Sequence, residues 1–399
     1  MELNKRVQNL KPSAIRKLLP FAAEAKQKGK KVYHLNMGQP DINTPKEFFE
    51  ALKNYNTDVI SYAPSSGHPE LISEVIKYYS NLNISYNTED VFVTVGGSEA
   101  FSFALMAVCN ELDEVLMPEP YYSNYNTYMQ LLNIKAVPIK TKSEDGFHLP
   151  SRNDIEKLIT SKTKAILLSN PGNPTGTVYT VDEVKMIADI AKDNNIFVIS
   201  DEVYREFVYD NHPYLSFASL DYIKENLILI DSISKRFSTC GARIGFLLTK
   251  NKELQSAFFQ LCQARLAAPI VEQIAATALY QTPKSYLDCV IHEYEKRRDL
   301  VYECLSNIEG VFCKKPEGAF YIMATLPVDN AENFIQWMLL DFDYCNETLM
   351  VAPAYGFYST DGLGLNQVRI AYVLNEEDLK RSMKILSKAL EEYSTKSKK

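Results

Sequence analysis

The sequence predicts an α/β protein built on a mostly parallel, seven-stranded β-sheet that is covered on both faces. Short, nearly continuous apolar segments alternate with amphipathic helical stretches through the middle of the chain. This alternation is typical of parallel sheets, whose strands are buried on both sides. The strand candidates are residues 91–95, 115–117, 135–139, 164–169, 196–200, 226–231 and 243–248. Helical patterns lie between many of them, for example at residues 98–110 and 181–194.

The chain of 399 residues divides into two predicted domains. The strand-rich region forms a large domain at residues 46–290. A long charged helix at 285–308, two shorter strands and a closing helix at 376–394 indicate a smaller α+β domain. We expect this small domain to combine residues 1–45 with residues 291–399.

Composition excludes several classes of function. The net charge of −7 argues against a nucleic-acid surface, which needs a basic patch. The seven cysteines are widely spaced without a CxxC pair, and the five histidines do not cluster, so neither a disulfide framework nor a metal site is expected. Neither a signal peptide nor a membrane-spanning stretch is recognisable, so a cytoplasmic protein is expected.

The segment SISKRFSTCGARIG, residues 232–245, follows an apolar strand and carries the first candidate site. The end of the strand places Lys235 at the edge of the sheet where ligands bind in open α/β folds. Ser232, Ser234 and Arg243 offer hydroxyl donors and a fork-shaped cation, which suit a phosphate group. Lys235 alone would be interpreted as a surface lysine, but the whole motif favours a lysine that forms an imine.

The segment IFVISDEVY places Asp201 directly after another apolar strand. Partial burial of its carboxylate requires a partner, and a protonated pyridine nitrogen is one such partner. Tyr204, three residues further on, is within reach of a phenolic oxygen on the same ring. The alternative for Asp201 taken alone is a helix cap.

Two turns at strand ends complete the predicted site. Residues 169–179, SNPGNPTGTVY, contain two X-Pro bonds and two glycines, which specify a rigid turn that can aim the amide of Asn173 at a ligand. In VTVGGSEA, residues 93–100, a strand is followed by Gly-Gly and a helix, whose free N–H groups suit a phosphate. Each signal is weak alone, and the second lacks the glycine spacing of dinucleotide or NTP sites.

These four segments, in this order, resemble the class I/II aminotransferases of pyridoxal-phosphate fold type I, the aspartate aminotransferase family. The resemblance extends over nearly the whole chain. LNMGQPDINTP is similar to the GxPDxxTP entry segment of the family, SYAPSSGHPEL to its YxxxxGxxxL segment, and VRIAYVL to its substrate-arginine strand. One departure is Thr239, where the lysine motif usually has an aliphatic residue.

The resemblance implies pyridoxal 5′-phosphate as cofactor and a role for each matching residue. Lys235 would hold the cofactor as a Schiff base and shuttle the substrate proton. The other catalytic and cofactor-binding residues would be Asp201 and Tyr204 with Gly97, Ser98, Tyr122, Asn173, Ser232, Ser234 and Arg243, and Tyr62 would reach the phosphate of a neighbouring subunit. The α-carboxylate of the substrate would be held by Arg369 with Gly38 and Asn173.

The implied activity is a ping-pong transfer of an amino group from an L-amino acid to a 2-oxo acid. Because Tyr62 would serve a neighbouring site, the resemblance also implies a homodimer with shared active sites. The fold alone does not determine the reaction. A pyridoxal-phosphate C–S lyase on the same fold remains an alternative.

Substrate choice rests on fewer residues. Aspartate and glutamate need a second group for the distal carboxylate. The resemblance suggests a lysine where this chain has Ser98, and a serine near the N-terminus, which Ser13 matches. Arg265 is a candidate substitute for the lysine, supplied from a partner subunit, and the equal alternative is a structural arginine. We therefore expect aspartate- or glutamate-type substrates, with alanine or aromatic and aliphatic amino acids as the alternative.

Overall fold

The structure, a computed structural model, describes residues 1–10 and 13–396. The strands of these residues are β1 (Lys31–His34), β2 (Val91–Thr94), β3 (Glu114–Glu119), β4 (Lys135–Lys140), β5 (Thr163–Ser169), β6 (Phe197–Asp201), β7 (Leu227–Ser232), β8 (Gly245–Leu248), β9 (Phe312–Cys313), β10 (Tyr321–Thr325), β11 (Glu347–Met350), β12 (Ala352–Pro353) and β13 (Gln367–Ala371). The α-helices are α1 (Lys5–Gln8), α2 (Leu19–Gln27), α3 (Lys46–Asn54), α4 (Pro69–Ser80), α5 (Gly96–Val108), α6 (Asn124–Leu132), α7 (Arg152–Glu156), α8 (Val181–Asp193), α9 (Ile233–Arg236), α10 (Lys252–Arg265), α11 (Ile270–Leu279), α12 (Lys284–Ser306), α13 (Ala331–Leu340) and α14 (Glu376–Lys396).

The large sheet has seven strands in the order β2-β8-β7-β6-β5-β3-β4. Strand β8 is antiparallel to both of its neighbours, and the other pairs are parallel. Each of the seven strand candidates of the sequence overlaps one of these strands. The predicted fold class, a mostly parallel seven-stranded sheet in an α/β protein, is therefore confirmed.

Helix α8 illustrates how the local sequence covers the sheet. Its first turn is fixed by a capping box, in which Thr180 accepts from the N–H of Glu183 and the Glu183 carboxylate accepts from the N–H of Thr180. The apolar face of the helix includes Val184 and Ile187, which belong to one fully buried cluster with Val198 of β6. Burying a side chain such as Ile187 contributes about 1.5–3 kcal/mol, which anchors the helix to the strand that ends at the site.

The N-terminal segment and the C-terminal region pack into one further core. Strand β1 pairs in parallel with β11, from Lys31 opposite Glu347 to His34 opposite Met350. Strand β10 pairs antiparallel with both β13 and β9. Helix α12 runs continuously from Lys284, so the predicted domain boundary at 290/291 falls inside this helix.

The fold brings several strand ends to one edge of the large sheet. Because β2, β3, β5, β6 and β7 are parallel, their carboxyl ends meet there, and they are followed by the segments predicted to carry the chemistry. Strand β6 ends at Asp201 and β7 ends at Ser232, directly before the short helix that holds Lys235. In the described part of the chain, no helix is both long and apolar enough to span a bilayer.

Candidate active site

A cavity of about 570 Å³ opens at this edge of the sheet. All of the site residues predicted from the sequence line it, with the exceptions of Tyr62 and Arg265. Those that line the cavity are Ser13, Gly38, Gly97, Ser98, Tyr122, Asn173, Asp201, Tyr204, Ser232, Ser234, Lys235, Arg243 and Arg369. The topology therefore gathers residues that are separated by more than three hundred positions in the sequence.

Lys235 lies in α9, one turn after the end of β7. Its Nζ donates to the carbonyl oxygen of Gly38 at 2.8 Å and lies 3.5 Å from Sγ of Cys240. No carboxylate forms a salt bridge with this amine in the described residues. The amine is therefore not held in an ion pair and is available to react with a carbonyl group.

Asp201 is partly buried and faces the cavity. Its Oδ2 accepts a hydrogen bond of 2.5 Å from the hydroxyl of Tyr125, and its Oδ1 accepts from the N–H of Val203 at 3.3 Å. Burial raises the pKa of Asp201 to about 6, although these two donors oppose the rise. A cation next to this carboxylate would offset the cost of its burial.

Tyr204, Tyr122 and Asn173 line the same cavity as Asp201. The hydroxyl of Tyr204 is 2.8 Å from the hydroxyl of Tyr321, and both residues are buried. The ring of Tyr122 packs edge-on against Tyr125, with 5.5 Å between centroids. Asn173 is also buried, and it lies in the turn between two cis X-Pro bonds that the sequence marks as rigid.

The N-terminus of α5 and Arg243 form a cationic corner of the cavity. Gly97 and Ser98 belong to the first turn of α5, where N–H groups have no helical partner and favour an anion. A Cβ atom at Gly96, which has a φ of +73°, would lie 2.4 Å from Nη2 of Arg243. Nη1 of Arg243 donates to the carbonyl of Cys240 at 3.1 Å. The bare glycine therefore lets the guanidinium approach the helix terminus.

The seryl hydroxyls on the other side of this corner are ordered by the backbone. Oγ of Ser232 donates to the carbonyl of Ile244 at 2.9 Å and lies 2.9 Å from Oγ of Ser234. Thr239, the departure from the lysine motif, is buried, and its hydroxyl donates to the carbonyl of Ile233 at 2.9 Å. The hydroxyl that Thr239 introduces therefore has a hydrogen-bond partner within the lysine motif.

Arg369 is fully buried in β13 and points two of its nitrogens at oxygen acceptors. Nη1 donates to Oδ1 of Asn173 at 2.9 Å, and Nη2 donates to the carbonyl of Asn36 at 2.6 Å. Within the described residues, its Nε is buried without a hydrogen-bond partner and no carboxylate forms a salt bridge with it. A buried guanidinium of this kind calls for an anion in the cavity.

Two of the residues predicted for the site lie elsewhere. Tyr62 is 83 % exposed and lies outside the cavity. Arg265 closes a salt bridge of 2.7 Å with Glu99 and donates to the carbonyls of Ser65 and Val93, both at 3.2 Å. Since Glu99 also accepts from the N–H of Val95, Arg265 braces the strand-to-helix turn at the start of α5. This geometry favours the structural alternative for Arg265.

Three polar residues of the cavity that bear on its chemistry, Arg16, Tyr125 and Tyr321, are not among those predicted from the sequence. Tyr125 lies three residues beyond Tyr122 in the aromatic-rich segment after β3, and its own position carries no signal for a role in the site. Arg16 follows Ser13 in LKPSAIRK, and a cation so near a predicted substrate serine was a usable signal. Tyr321, in an apolar strand, carried no signal, because only the pairing of β10 with β13 brings it to Tyr204.

The residues of the cavity fit pyridoxal phosphate, the cofactor that the sequence resemblance implies. Lys235 offers an amine to the aldehyde, and Asp201 has an uncompensated carboxylate for a pyridinium nitrogen. Arg243, the start of α5 and the hydroxyls of Ser232 and Ser234 offer the cation and donors that a phosphate needs. The aldehyde, the pyridine nitrogen and the phosphate of the cofactor thus each find matching chemistry within one cavity.

The sequence matches the family described as aminotransferase class I and II over residues 30–393. Aspartate aminotransferase from Bacillus subtilis (strain 168) is 30% identical over 405 residues, which cover 99% of this chain and 100% of that protein. Aspartate aminotransferase from Pyrococcus abyssi (strain GE5 / Orsay) is 33% identical over 401 residues, which cover 98% of this chain and 99% of that protein.

Solved structures of two related enzymes superpose along the whole chain. Aspartate aminotransferase from Thermus thermophilus with maleate gives a TM-score of 0.88 at 26% identity, over 98% of this chain and 100% of that one. Alanine aminotransferase from Pyrococcus furiosus gives a TM-score of 0.88 at 30% identity, with the same coverage of both chains. The sequence over residues 30–393 and the fold over 98% of the chain therefore match this family.

Proposed function

The chain belongs to the class I and II aminotransferases, which use pyridoxal phosphate, and on that premise we propose that it moves the amino group between aspartate or glutamate and a 2-oxo acid. The observation that carries the proposal is the convergence of Lys235, Asp201 and Arg369 on one cavity. These three residues supply an amine, a carboxylate and a guanidinium, which match the aldehyde, the pyridine nitrogen and the substrate carboxylate, respectively.

Lys235 is proposed to hold the cofactor and to move the substrate proton. With an amino acid bound in the cavity, the amine of Lys235 would accept the α-proton of the substrate. Bound pyridoxal phosphate supplies an electron sink for the charge that this proton leaves behind. The carbonyl of Gly38, which accepts from Nζ in the structure, orients the amine before the cofactor binds.

Asp201 is proposed to hold a proton on the pyridine nitrogen, with Tyr125 holding the carboxylate in place. Tyr204 and Asn173 are proposed to donate to the phenolic oxygen on the other side of the ring. Tyr122 is proposed to stack on the face of the ring, where an aromatic side chain is favoured. Together these contacts would fix the plane of the ring relative to Lys235.

The phosphate is proposed to lie at the start of α5, held by Gly97 and Ser98 and by the side chains of Ser232, Ser234 and Arg243. A partner subunit is proposed to complete this phosphate site. Tyr62 lies outside the cavity of its own chain and is 83 % exposed, which fits the proposal that it contacts the phosphate in a partner's site. Its neighbours Val59 and Ile60 are exposed to similar extents, 68 % and 67 %, and a homodimer interface would bury them.

Arg369 is proposed to bind the α-carboxylate of the substrate in a bidentate pair, with Asn173 and the backbone of Gly38 beside it. Its buried Nε without a partner supports this role. In the same scheme, the large domain spans 46–290 and the small domain combines 1–45 with 291–399. Arg369 would then contribute from the small domain and Lys235 from the large one.

The choice of aspartate or glutamate is supported by the names of relatives such as the Bacillus subtilis and Pyrococcus abyssi enzymes. Alanine is the second candidate donor. It is favoured by Ser98, which stands where a lysine would bind a distal carboxylate, and by the likeness to the Pyrococcus furiosus alanine aminotransferase. Ser13 lines the cavity and is available to either substrate.

A half-reaction screen tests the proposal. Each amino acid is added to the purified holoenzyme without a 2-oxo acid, and the absorption of the bound cofactor and the oxo acid released are followed together. Aspartate and glutamate are expected to convert the cofactor stoichiometrically and most rapidly. Lys235→Ala is expected to bind cofactor that borohydride cannot fix to the protein. Pyruvate formed in excess of enzyme from cysteine would instead indicate a lyase.

A further inference from the structure

Arg16 is a cation of the cavity that the reaction described above does not use. It lies in the turn before α2, its side chain is exposed, and it lines the cavity with Ser13 and Ile15. In the described part of the chain, its guanidinium forms neither a salt bridge nor a hydrogen bond. The next residue, Lys17, differs, because it binds Glu332 and the hydroxyl of Tyr355.

Cationic side chains outnumber carboxylates in the described lining of the cavity. Among the residues that the structure describes, the cavity lining contains four cationic side chains and one carboxylate, that of Asp201. The proposed mechanism uses three of the cations: Lys235 carries the cofactor, Arg243 binds its phosphate and Arg369 binds the α-carboxylate. Arg16 is then left without an anionic partner, so a cavity that holds the cofactor and the α-carboxylate still offers a site for one more anionic group. Because the protein as a whole is acidic, this excess of positive charge is confined to the cavity.

The backbone beside Arg16 is tied to the residue that binds the α-carboxylate. Nδ2 of Asn36 donates to the carbonyl of Ile15 at 2.8 Å, and the carbonyl of Asn36 accepts from Nη2 of Arg369 at 2.6 Å. Asn36 is completely buried. One buried residue therefore links the turn that holds Arg16 to Arg369 through two hydrogen bonds.

Small residues fix the same turn against the C-terminal region. A Cβ atom at Gly356 would lie 2.4 Å from Cβ of Ala14, so these two backbones pack as closely as a glycine permits. With Lys17 bound to Glu332 on the other side, the turn is held at both ends. A long side chain on a fixed turn loses less freedom when it binds a ligand than one on a mobile segment.

Tyr122 lies near both guanidinium groups. Burial raises the pKa of Tyr122 and Tyr321 adds to the rise, whereas the charges of Lys235, Arg369 and Arg16 oppose it. Arg16, Arg369 and Tyr122 all line the same cavity.

We infer that Arg16 binds the distal carboxylate of a dicarboxylic substrate and selects aspartate or glutamate over alanine. This inference rests on the proposed function, since Arg369 must hold the α-carboxylate for Arg16 to meet the other one. It also explains how the distal carboxylate is bound in a chain that has Ser98 in place of a lysine. Arg265 is a weaker candidate for the part, because its charge is already paired with Glu99.

Binding of unreactive acids to the holoenzyme tests the inference without turnover. Succinate has two carboxylates, and butyrate is a matched acid with one. By calorimetry, Arg16→Gln is expected to weaken succinate binding about 10- to 100-fold, the usual worth of a charge-assisted contact, and to change butyrate binding less than about threefold. Arg16→Lys should recover part of the loss, because it restores the charge without the fork.

A variant with the same change of charge at a distant surface, Arg152→Gln in α7, is the control and should bind succinate like the wild type. The inference is overturned if Arg16→Gln binds succinate within about twofold of the wild type, or if it weakens succinate and butyrate equally. It is also overturned if the wild type binds the two acids equally well.

Kinetics separate this inference from the proposed function. In single half-reactions, Arg16→Gln is expected to lower kcat/KM for aspartate about 10- to 100-fold and for alanine less than about threefold. A wild type that converts alanine but neither aspartate nor glutamate would contradict both the proposed substrate and the selection assigned to Arg16. An equal loss for aspartate and alanine would overturn the inference and leave the proposed substrate intact.

Discussion

The hydroxyl of Tyr125 donates a hydrogen bond of 2.5 Å to Oδ2 of Asp201, the carboxylate proposed to face the pyridine nitrogen. This donor opposes the rise in the pKa of Asp201 that burial causes. Tyr125→Phe is therefore expected to move that pKa above its value of about 6 and to weaken cofactor binding about 3- to 10-fold near pH 7. The measurement is a titration of the cofactor-free protein with pyridoxal phosphate between pH 6 and 9.

Tyr128→Phe is the matched control, because Tyr128 also lines the cavity but makes no hydrogen bond to Asp201. The loss in Tyr125→Phe should shrink as the pH rises, since the carboxyl ionises fully in either protein at high pH. A loss that is equal at pH 6 and pH 9 would contradict the role given to Tyr125.

Asp201 is expected to destabilise the protein when the cofactor is absent. Its pKa is raised from 3.8 to about 6, so between these values the folded protein holds a proton that the unfolded chain has released. The free energy of unfolding then falls as the pH rises through this window, and the penalty is complete above pH 6. Asp201→Asn should therefore stabilise the cofactor-free protein by about 1–3 kcal/mol at pH 8.

Urea unfolding at pH 5 and pH 8 checks this prediction. The gain from Asp201→Asn should be smaller at pH 5, where the wild-type carboxyl is largely protonated in the folded state. With the cofactor bound, the order should reverse, because only the carboxylate pairs with a pyridinium nitrogen. A gain that does not depend on pH would show that burial of the charge is not its cause.

Much of the fold and the centre of the site follow from local sequence. Strands β6 and β7 are largely apolar runs that end at the polar residues Asp201 and Ser232, so the position of Asp201 after one run and of Lys235 after another is readable from the chain. Parallel strands then bring such ends to one edge. Locating the strand ends and bringing them to one edge requires no information on contacts between distant segments.

The parts that could not be predicted depend on contacts between distant segments. The bond from Arg369 to the carbonyl of Asn36 joins residues 333 positions apart, and nothing local to either residue indicates it. The same holds for Tyr321 and Tyr204. Arg265 shows the opposite difficulty, because its sequence position suited a substrate role whereas its neighbours Glu99 and Ser65 provide structural partners.

Arg369→Gln is expected to weaken every amino acid substrate, whatever its side chain. Arg369 offers the α-carboxylate a buried fork of donors, and glutamine keeps the bulk but neither the charge nor the fork. The predicted loss in kcat/KM is about 100-fold or more for aspartate and alanine alike. Half-reaction rates with both substrates measure it. Selective loss of aspartate alone would assign Arg369 to the distal carboxylate instead.

Gly96→Ala is expected to impair the binding of phosphate. Gly96 has a φ of +73°, and a Cβ there would displace the Arg243 guanidinium from the start of α5. The affinity for pyridoxal phosphate should fall about 10-fold, whereas that for pyridoxal, which lacks the phosphate, should change little. Gly241→Ala, in the lysine motif with nothing within 4 Å of the added Cβ, is the control. Equal losses for both ligands would point to a general disturbance of the cavity.

Tyr62 and Lys235 should complement each other between subunits. If Tyr62 serves the site of its partner, a hybrid dimer of a Tyr62→Ala chain and a Lys235→Ala chain contains one site with the native lysine and a native tyrosine. The Lys235→Ala homodimer should be inactive and the Tyr62→Ala homodimer should bind cofactor about 10-fold more weakly than the wild type.

The hybrids are made by mixing differently tagged chains, unfolding and refolding them together, and isolating dimers that carry both tags. At limiting cofactor they should show nearly half of the wild-type activity, because one of the two sites is complete. If Tyr62 instead acts within its own chain, the only site with Lys235 lacks its tyrosine, and the hybrids should be no better per site than the Tyr62→Ala homodimer. The exposed position of Tyr62, outside the cavity of its own chain, favours the first result.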